Sequence, residues 1–407
     1  MLQDPATVAK PVSVVVPGAV VPSRRQVVAA LALGSVALLI LGLQPLLLGE
    51  LVDQKRISLG GVGLVAMGEI ITLGIGVIVA NTLLSPARLA AVAVVAAALH
   101  TGLDLLTMRL DGDIEFLIVR ALAGLAAGVL VWVATSVIVR TTAPDRMAAF
   151  FLVSQTLAQA SVAAFLATIV VPSAGWRGGF AVMAALSGSV VLLAPALRPG
   201  LTTLTSSGSG LPPRSAATVV TFGVVLTQMA AIGSLWAYLE PLGRDIGLTG
   251  TQVGTLISAM LVLQVVGGST AAWVVRRLGA IAILTGASVL LASLAFGLHL
   301  RPSAWLFCVL CGMFGFVWLF LMPFQVRLAF AADPAGRVAV LVPGLQLLGS
   351  AFGPLITSLF FVTNDDARPV PLVCAGLALV ASCLLVVGRN RFDTKGPLQQ
   401  HLSGEQS

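Results

Sequence analysis

Three charged residues interrupt long apolar runs. They are Glu69, Asp104 and Arg120. A charge at the centre of a membrane-crossing helix costs at least ~2.5–3.5 kcal/mol on insertion scales, so it must face a cavity or another charge. Glu69 falls about eleven residues into its run, near mid-membrane. Asp104 lies about four residues from the end of its run, and Arg120 about six residues into the next. By depth, Arg120 is within a helical turn of Asp104 and roughly 7 Å from Glu69, so a long arginine can reach both. Glu69 reads either as the leading proton carrier, because a carboxyl at that depth can load and release a proton, or as a hydrogen-bonded structural acid. Arg120 reads in two ways: a cavity cation that binds an anionic solute or tunes a neighbouring acid, or a structural ion pair. His100 stands one turn before Asp104, so the two share a face. They form either a proton relay or a peripheral pair.

The other candidates are uncharged. Gln44, Gln155, Gln228, Gln264 and Gln346 sit inside apolar runs. Each can hydrogen-bond a solute or bridge two helices. Trp236, Tyr238 and Trp318 supply aromatic surface, and Trp318 lies deepest. Trp236 and Tyr238 also fit an interfacial belt. Cys308 and Cys311 form a C-x-x-C, read as two small residues one turn apart. The histidines at 100, 299 and 401 make no cluster, so neither a metal nor a cofactor is expected. No G-x-x-x-x-G-K-[ST] loop occurs, so no nucleotide drive is expected.

Most of the chain is there to position these residues in a membrane. Of 407 residues, 58% are hydrophobic and 10% charged, and the mean hydropathy is +1.03. A soluble chain with this composition could not cover its surface with polar groups. Twelve apolar runs are long enough to cross a ~30 Å hydrocarbon core. They are placed at 26–48, 58–83, 87–108, 114–139, 146–171, 178–197, 216–239, 250–275, 279–299, 303–325, 337–362 and 369–388, spans one to twelve. The runs are too long and lack the alternation for a β-barrel. The lipid bilayer is thus the expected medium.

The chain also repeats itself at an offset of 191 residues. Val62-Gly63 returns as Val253-Gly254, Gly124 as Gly315, Arg146 as Arg337, Gln155 as Gln346 and Arg177 as Arg368. This predicts two pseudo-symmetric six-helix bundles, 26–198 and 216–388. A Gly/Ser/Thr-rich linker, 199–215, joins them. The repeat breaks at the buried charges: Met260 answers Glu69, and Cys311 answers Arg120.

The net charge of +7 reflects orientation and gives no sign of nucleic acid. With the N-terminus inside, 15 Lys and Arg fall on cytoplasmic segments and 7 on outer loops. The tails 1–25 and 389–407 are therefore expected in the cytoplasm, with the chain in the inner membrane. The first 25 residues lack a cleavable signal pattern, so span one is expected to act as an uncleaved signal. Glu50, Asp53, Lys55 and Arg56 occupy one outer loop, and Glu240, Arg244 and Asp245 the equivalent one. They form either an outer gate or solvated loops.

On these features the chain resembles the major facilitator superfamily across about residues 26–388. Arg120-Ala-Leu-Ala-Gly124-Leu-Ala-Ala-Gly128 is similar to the family's R-x-x-x-G-x-x-x-G pattern in span four. Ala143-Pro144-Asp145-Arg146 and Gly175-Trp176-Arg177 also resemble it. Trp273-Val-Val-Arg276-Arg277-Leu278-Gly279 is similar to the second-half loop motif. Departures are clear. The first-half loop motif has Leu84 where the family places an acid, and only Arg88 fits. The Gly-Pro motif of drug/proton antiporters is absent from span five, though Gly353-Pro354 occurs in span eleven. The resemblance implies an all-α membrane protein of the MFS fold with two rocking bundles. It implies a secondary transporter, not an enzyme, with protons or another ion as co-substrate. The small-molecule substrate is an organic solute, an anion if Arg120 lines the cavity. A monomer is the expected state. Arg88, Arg146 and Arg277 are expected to serve the gate, with Gly124, Gly128, Gly349 and Gly353 in helix packing. Export of lipophilic compounds is the rival within the class. A membrane-embedded enzyme would want a His, Asp or Glu cluster at one face, and a transport-dead sensor is a third reading.

Overall fold

The computed structural model describes residues 22–198, 201, 213–361 and 366–392. The tail ends 1–21 and 393–407, most of the linker and Asp365 lie outside the described residues. Every element among the described residues is helical. Eleven helical stretches are long and apolar enough to cross a membrane. One of them, Arg146–Leu197, has 52 residues and contains two spans.

That stretch departs from the expected break between 171 and 178. Span five runs Pro144–Phe165 and continues through a wider turn, Leu166–Val170, directly into Val171–Ser189. The reversal falls at Gly175, whose φ of 59° and ψ of −160° are open to glycine without a Cβ penalty. Spans five and six are thus joined without a loop.

Span one is broken too. It consists of Arg24–Ala37 and Leu39–Asp53. Its Pro45 has no N–H to bond the Leu41 carbonyl four residues earlier. Spans two, three and four are Leu59–Leu83, Leu89–Thr107 and Asp113–Ile138. In the second half, span seven is Ala216–Ala237, followed by the short helix Leu239–Asp245. Spans eight to twelve are Gly250–Val274, Ala280–His299, Ala304–Ala332, Val342–Ser358 and Pro369–Gly388.

The 191-residue repeat is written into the packing. A Cβ on Gly76 would lie 2.3 Å from the Leu125 carbonyl, and one on Gly267 2.0 Å from the equivalent Phe316 carbonyl. Gly124 presses on the Glu69 carbonyl, Gly315 on that of Met260. Gly42 meets Gln159, and its counterpart Gly233 meets Ser350. Ser58 caps span two and Thr249 caps span eight at the matching position. The same contacts, made twice, build two bundles of one design.

The bundles meet through glycines related by the same offset. Gly63 of span two lies against Pro354 and Ser358 of span eleven; Gly254 of span eight lies against Ala167 beside span five. The side carrying these contacts and the loops with Glu50 and Arg244 is called the far side. The side carrying the linker flanks is the linker side. Among the described residues, the inter-bundle hydrogen bonds and ion pairs run from mid-depth to the far side. Ser258 donates to the Ala160 carbonyl at 2.7 Å, Trp236 to that of Leu41 at 2.9 Å, and Arg244 pairs with Glu50 and Asp53 at 3.5 Å each. The far side is therefore shut in this conformation.

Candidate functional site

Glu69, Asp104 and Arg120 converge inside the first bundle. Arg120 is the largest fully buried side chain among the described residues. Its Nε donates to Glu69 Oε2 at 3.2 Å, one Nη to Glu69 Oε1, and the other to Asp104 Oδ1 at 2.7 Å. Both carboxylates are as buried as the guanidinium. Phe180 of span six lies 5.1 Å from the guanidinium carbon, stacked under it. Spans two, three, four and six supply the whole cluster.

His100 completes it. Its Nδ1 lies 3.2 Å from Asp104 Oδ2 and 2.9 Å from Ser187 Oγ, and that hydroxyl donates to Asp104 Oδ2 at 3.3 Å. Nε2 of His100 is buried without a described partner. With both acids ionised and the imidazole neutral, one guanidinium faces two carboxylates, leaving one negative charge. An unbalanced charge is costly in a bundle interior. One proton, on a carboxylate or on His100, makes the cluster neutral. The net charge of the arrangement therefore changes by one unit with the gain or loss of one proton. Ser187 was invisible to sequence reasoning, since one serine in an apolar run carries no signal.

The glutamines fall into two chains, one per bundle. In the second bundle, Gln228 donates to the Leu284 carbonyl at 3.3 Å and to Ser288 Oγ at 2.8 Å. Gln325 donates to Gln228 Oε1 at 2.9 Å, and Gln346 to Gln325 Oε1 at 2.8 Å. In the first bundle, Gln159 donates to the Leu38 carbonyl at the break in span one, 2.7 Å, and to Gln155 Oε1, 2.8 Å. Gln155 Nε2 donates to Thr156 Oγ1 at 3.2 Å. Gln159 and Gln325 were missed from sequence, though Gln159 stands one turn from Gln155. Gln44 joins neither chain and, among the described residues, donates to the Ala66 carbonyl at 3.5 Å. Gln264 is buried with Nε2 unpartnered.

Trp236 and Trp318 touch edge to face, with ring centroids 5.2 Å apart. Trp236 is buried at the bundle seam and is no interfacial anchor. Tyr238 is fully buried, packs on Phe361 and donates to the Pro354 carbonyl at 3.4 Å. Gly128 meets the Leu73 carbonyl, Gly349 the Leu226 carbonyl and Gly353 the Ala230 carbonyl. Arg88 and Arg146 are exposed at the linker side, and exposed Arg277 stacks over Trp273 at 4.9 Å.

At the far side, Arg244 Nε donates to Glu240 Oε1 at 2.5 Å. Burial pushes the Glu240 carboxyl up to about 7, against the opposing pull of Arg244. Arg301 pairs with Asp245 at 2.5 Å. These groups, with Asp53, Asp366 and Arg368, line a cavity of about 450 Å³. Lys55 is exposed, and Arg56 pairs with Asp111 at 3.1 Å.

No family model matches the chain, and no curated protein matches it. Solved structures do. The nucleoside transporter NupG, in a point-mutant form, matches at 12% identity and TM-score 0.71, over 89% of this chain and 99% of that one. A second NupG structure gives 13%, 0.68, 91% and 100%. A bacterial homologue of the human lysosomal transporter Spinster, solved inward-facing and unoccupied, gives 14%, 0.60, 90% and 95%. Two glycine-locked bundles in parallel repeat, matched over nearly their full length, carry the fold of the major facilitator superfamily.

Proposed function

We propose that the protein is a secondary transporter that moves a small organic solute across the cytoplasmic membrane by alternating access, coupled to protons. The observation that carries this reading is the buried cluster of Glu69, Asp104, Arg120 and His100 in a two-bundle fold shut on one side. A purely structural pairing needs one acid per guanidinium. Here two acids and an imidazole surround one arginine, so the site's charge balances only with one added proton, and the reading takes that proton as the one that moves. The structural neighbours, a nucleoside transporter and a Spinster homologue, support transport as the class.

Glu69 is the coupling acid in this reading, because it lies on span two, whose Gly63 presses against the opposite bundle. Proton loading at Glu69 would loosen its grip on Arg120 and relax span two against span eleven. An anionic solute would have to draw Arg120 away from two carboxylates, so the cluster is better read as the proton's site than as the solute's. The test is solute-driven proton movement in vesicles holding the purified chain. Glu69→Gln should abolish proton movement while leaving downhill solute exchange; undiminished proton coupling in that variant would refute the assignment.

A further inference from the structure

A groove of about 940 Å³ runs along the outer face of the first bundle, between spans three and four and the end of span two. Its depth comes from small side chains. Ala96 of span three and Ala126 of span four are buried and form its floor. Its edges are large and face outward: Val95 and Leu99 are each 59% exposed, and Leu122 is 49% exposed. On helices that cross a membrane, such a face meets acyl chains, which are as apolar as leucine.

The groove is polar at one end only. Ser85 and Arg88, at the start of span three, are the polar side chains of its lining, and no acid lines it. The Leu201 N–H donates to the Pro86 carbonyl at 3.0 Å, so this end lies on the linker side. Arg88 is exposed, and its guanidinium has no partner among the described residues. The helical stretch Pro86–Thr107 begins here, and its N-terminus adds a positive dipole. The other end, at Leu103 and Leu122, is apolar. From Arg88 to Leu103 span three rises about 22 Å at 1.5 Å per residue. That is more than half of a ~30 Å hydrocarbon core, enough to seat a chain lying in one leaflet.

The second bundle is built differently at the same positions. By the 191-residue offset Phe316 answers Leu125, Val317 answers Ala126 and Phe320 answers Val129. The rings of Phe316 and Phe320 stack with centroids 5.6 Å apart. At the mouth, Gly279 answers Arg88; Arg276 and Arg277 stand just before it, and Arg277 is turned onto Trp273. The backbone packing is shared, since Gly76 meets the Leu125 carbonyl as Gly267 meets that of Phe316. The backbone therefore does not force the void. One copy of the unit fills these positions with aromatic bulk, and the other keeps alanine depth beneath a free arginine.

We infer that this groove is a binding site for an anionic phospholipid of the linker-side leaflet. One acyl chain lies along Ala91, Ala96 and Ala126, and Arg88 meets the phosphate at the start of span three. The guanidinium fork matches phosphate oxygens in a paired hydrogen bond. A zwitterionic headgroup brings its own ammonium to that phosphate and gains less from Arg88. One arginine at a membrane surface favours an anionic headgroup by about fivefold. The site is separate from the buried cluster around Arg120.

The test is lipid retention by the purified full chain. The chain is stripped of lipid in detergent, titrated with dioleoyl phosphatidylglycerol or dioleoyl phosphatidylcholine, and read by native mass spectrometry. The unaltered chain should hold phosphatidylglycerol about fivefold more tightly. Arg88→Gln should bring the two lipids to equal affinity. Leu125→Phe combined with Val129→Phe, the residues of the second bundle, should weaken retention of both. Ala91→Phe, at the exposed edge of the groove, should do the same. Thermal unfolding without lipid checks each variant, and the exposed Arg88→Gln keeps the test decisive where a filled variant unfolds. Equal retention of the two lipids by the unaltered chain, a preference that survives Arg88→Gln, or full retention by an intact filled variant would mean an annular coat only and overturn the site. None of these readouts involves solute movement. A chain that transports nothing leaves the lipid site standing, and a chain that retains no lipid leaves transport standing.

Discussion

The indole N–H of Trp236 donates at 2.9 Å to the carbonyl of Leu41, and that carbonyl is available because Pro45 stands four residues later. A proline in one bundle thereby prepares an acceptor for a tryptophan in the other. The bond ties span seven to span one at the seam, so it exists only while the far side is shut. Trp236→Phe keeps the aromatic contact with Trp318 but deletes the donor. It should shift the equilibrium toward far-side opening by about 1 kcal/mol, roughly fivefold in population. Spin labels at Lys55 and Thr251, exposed on opposite bundles, should report a longer mean distance. An unaltered distance distribution would mean the bond contributes nothing to closure.

Closure should also depend on pH through Glu240. Arg244, on its own short helix, and Glu50 and Asp53, across the seam, are the charged groups that act on it. Its carboxyl is pushed to about 7 by burial in the shut state. In an open state it is solvated and returns toward the ordinary carboxylate range. The shut state therefore holds the proton more tightly. Closure is favoured as pH falls through 7, fully so below the ordinary carboxylate value, and the gain is lost as pH rises past 7. Linkage sets the effect at up to about 3 kcal/mol. The Lys55–Thr251 distance should shorten between pH 8 and pH 5, and Glu240→Gln should flatten the response. A response of equal size in Glu240→Gln would assign the pH dependence to another group.

The glycines divide into two functional kinds, and the division predicts different phenotypes. Gly124 and Gly315 lock helices within a bundle, with Cβ positions 2.2 Å and 2.9 Å from carbonyl oxygens. Gly63 and Gly254 lie between bundles. Gly124→Val should lower the unfolding temperature by several degrees, since backbone must shift to admit the side chain. Gly254→Val should leave unfolding nearly unchanged and hold the far side open, read by the same spin labels. Equal thermal loss in both variants would erase the distinction.

This division was only half legible in the sequence. The 191-residue offset exposes the twelve spans, the two halves and Gly124 with Gly315, because duplicated packing preserves glycine where backbones touch. Gly76 and Gly267 obey the same offset and press as closely on neighbouring carbonyls, yet a glycine in a glycine-rich apolar run gives no separate signal. That Glu69, Asp104 and Arg120 lie at depths where they can meet is legible in the sequence. Whether Arg120 turns toward the seam or into its own bundle is not, because that choice is a rotation about span four, and the Phe180 ring of span six lies against the guanidinium on the inner side. The glutamine chains were hidden for a related reason. Gln228 and Gln346 stand out by type, but their polarity is imposed by the carbonyl of Leu284, a backbone atom that no side-chain pattern encodes. The reversal at Gly175 was read as a boundary between spans, where the chain in fact stays helical up to a single positive-φ glycine.

The buried cluster yields the sharpest stability prediction, because its parts are worth less separately than together. Removing Arg120 strands two carboxylates at zero exposure in a bundle interior. Breaking a buried pair in this way costs about 3–5 kcal/mol. Arg120→Met should therefore unfold at markedly lower temperature, or fail to accumulate. Removing all the charge is a different operation. The triple change Glu69→Met, Asp104→Leu, Arg120→Met replaces ions with apolar groups of similar size, and Met at 69 copies Met260 of the other bundle. Such replacements are typically neutral or stabilising, so the triple variant should recover the lost unfolding temperature. It should also lose proton movement entirely, since His100 alone has no partner acid left. Recovery of stability without recovery of coupling would separate the cluster's two roles. A triple variant as unstable as Arg120→Met would show instead that the ions are needed to hold spans two, three and four together, and that the proton is incidental to them.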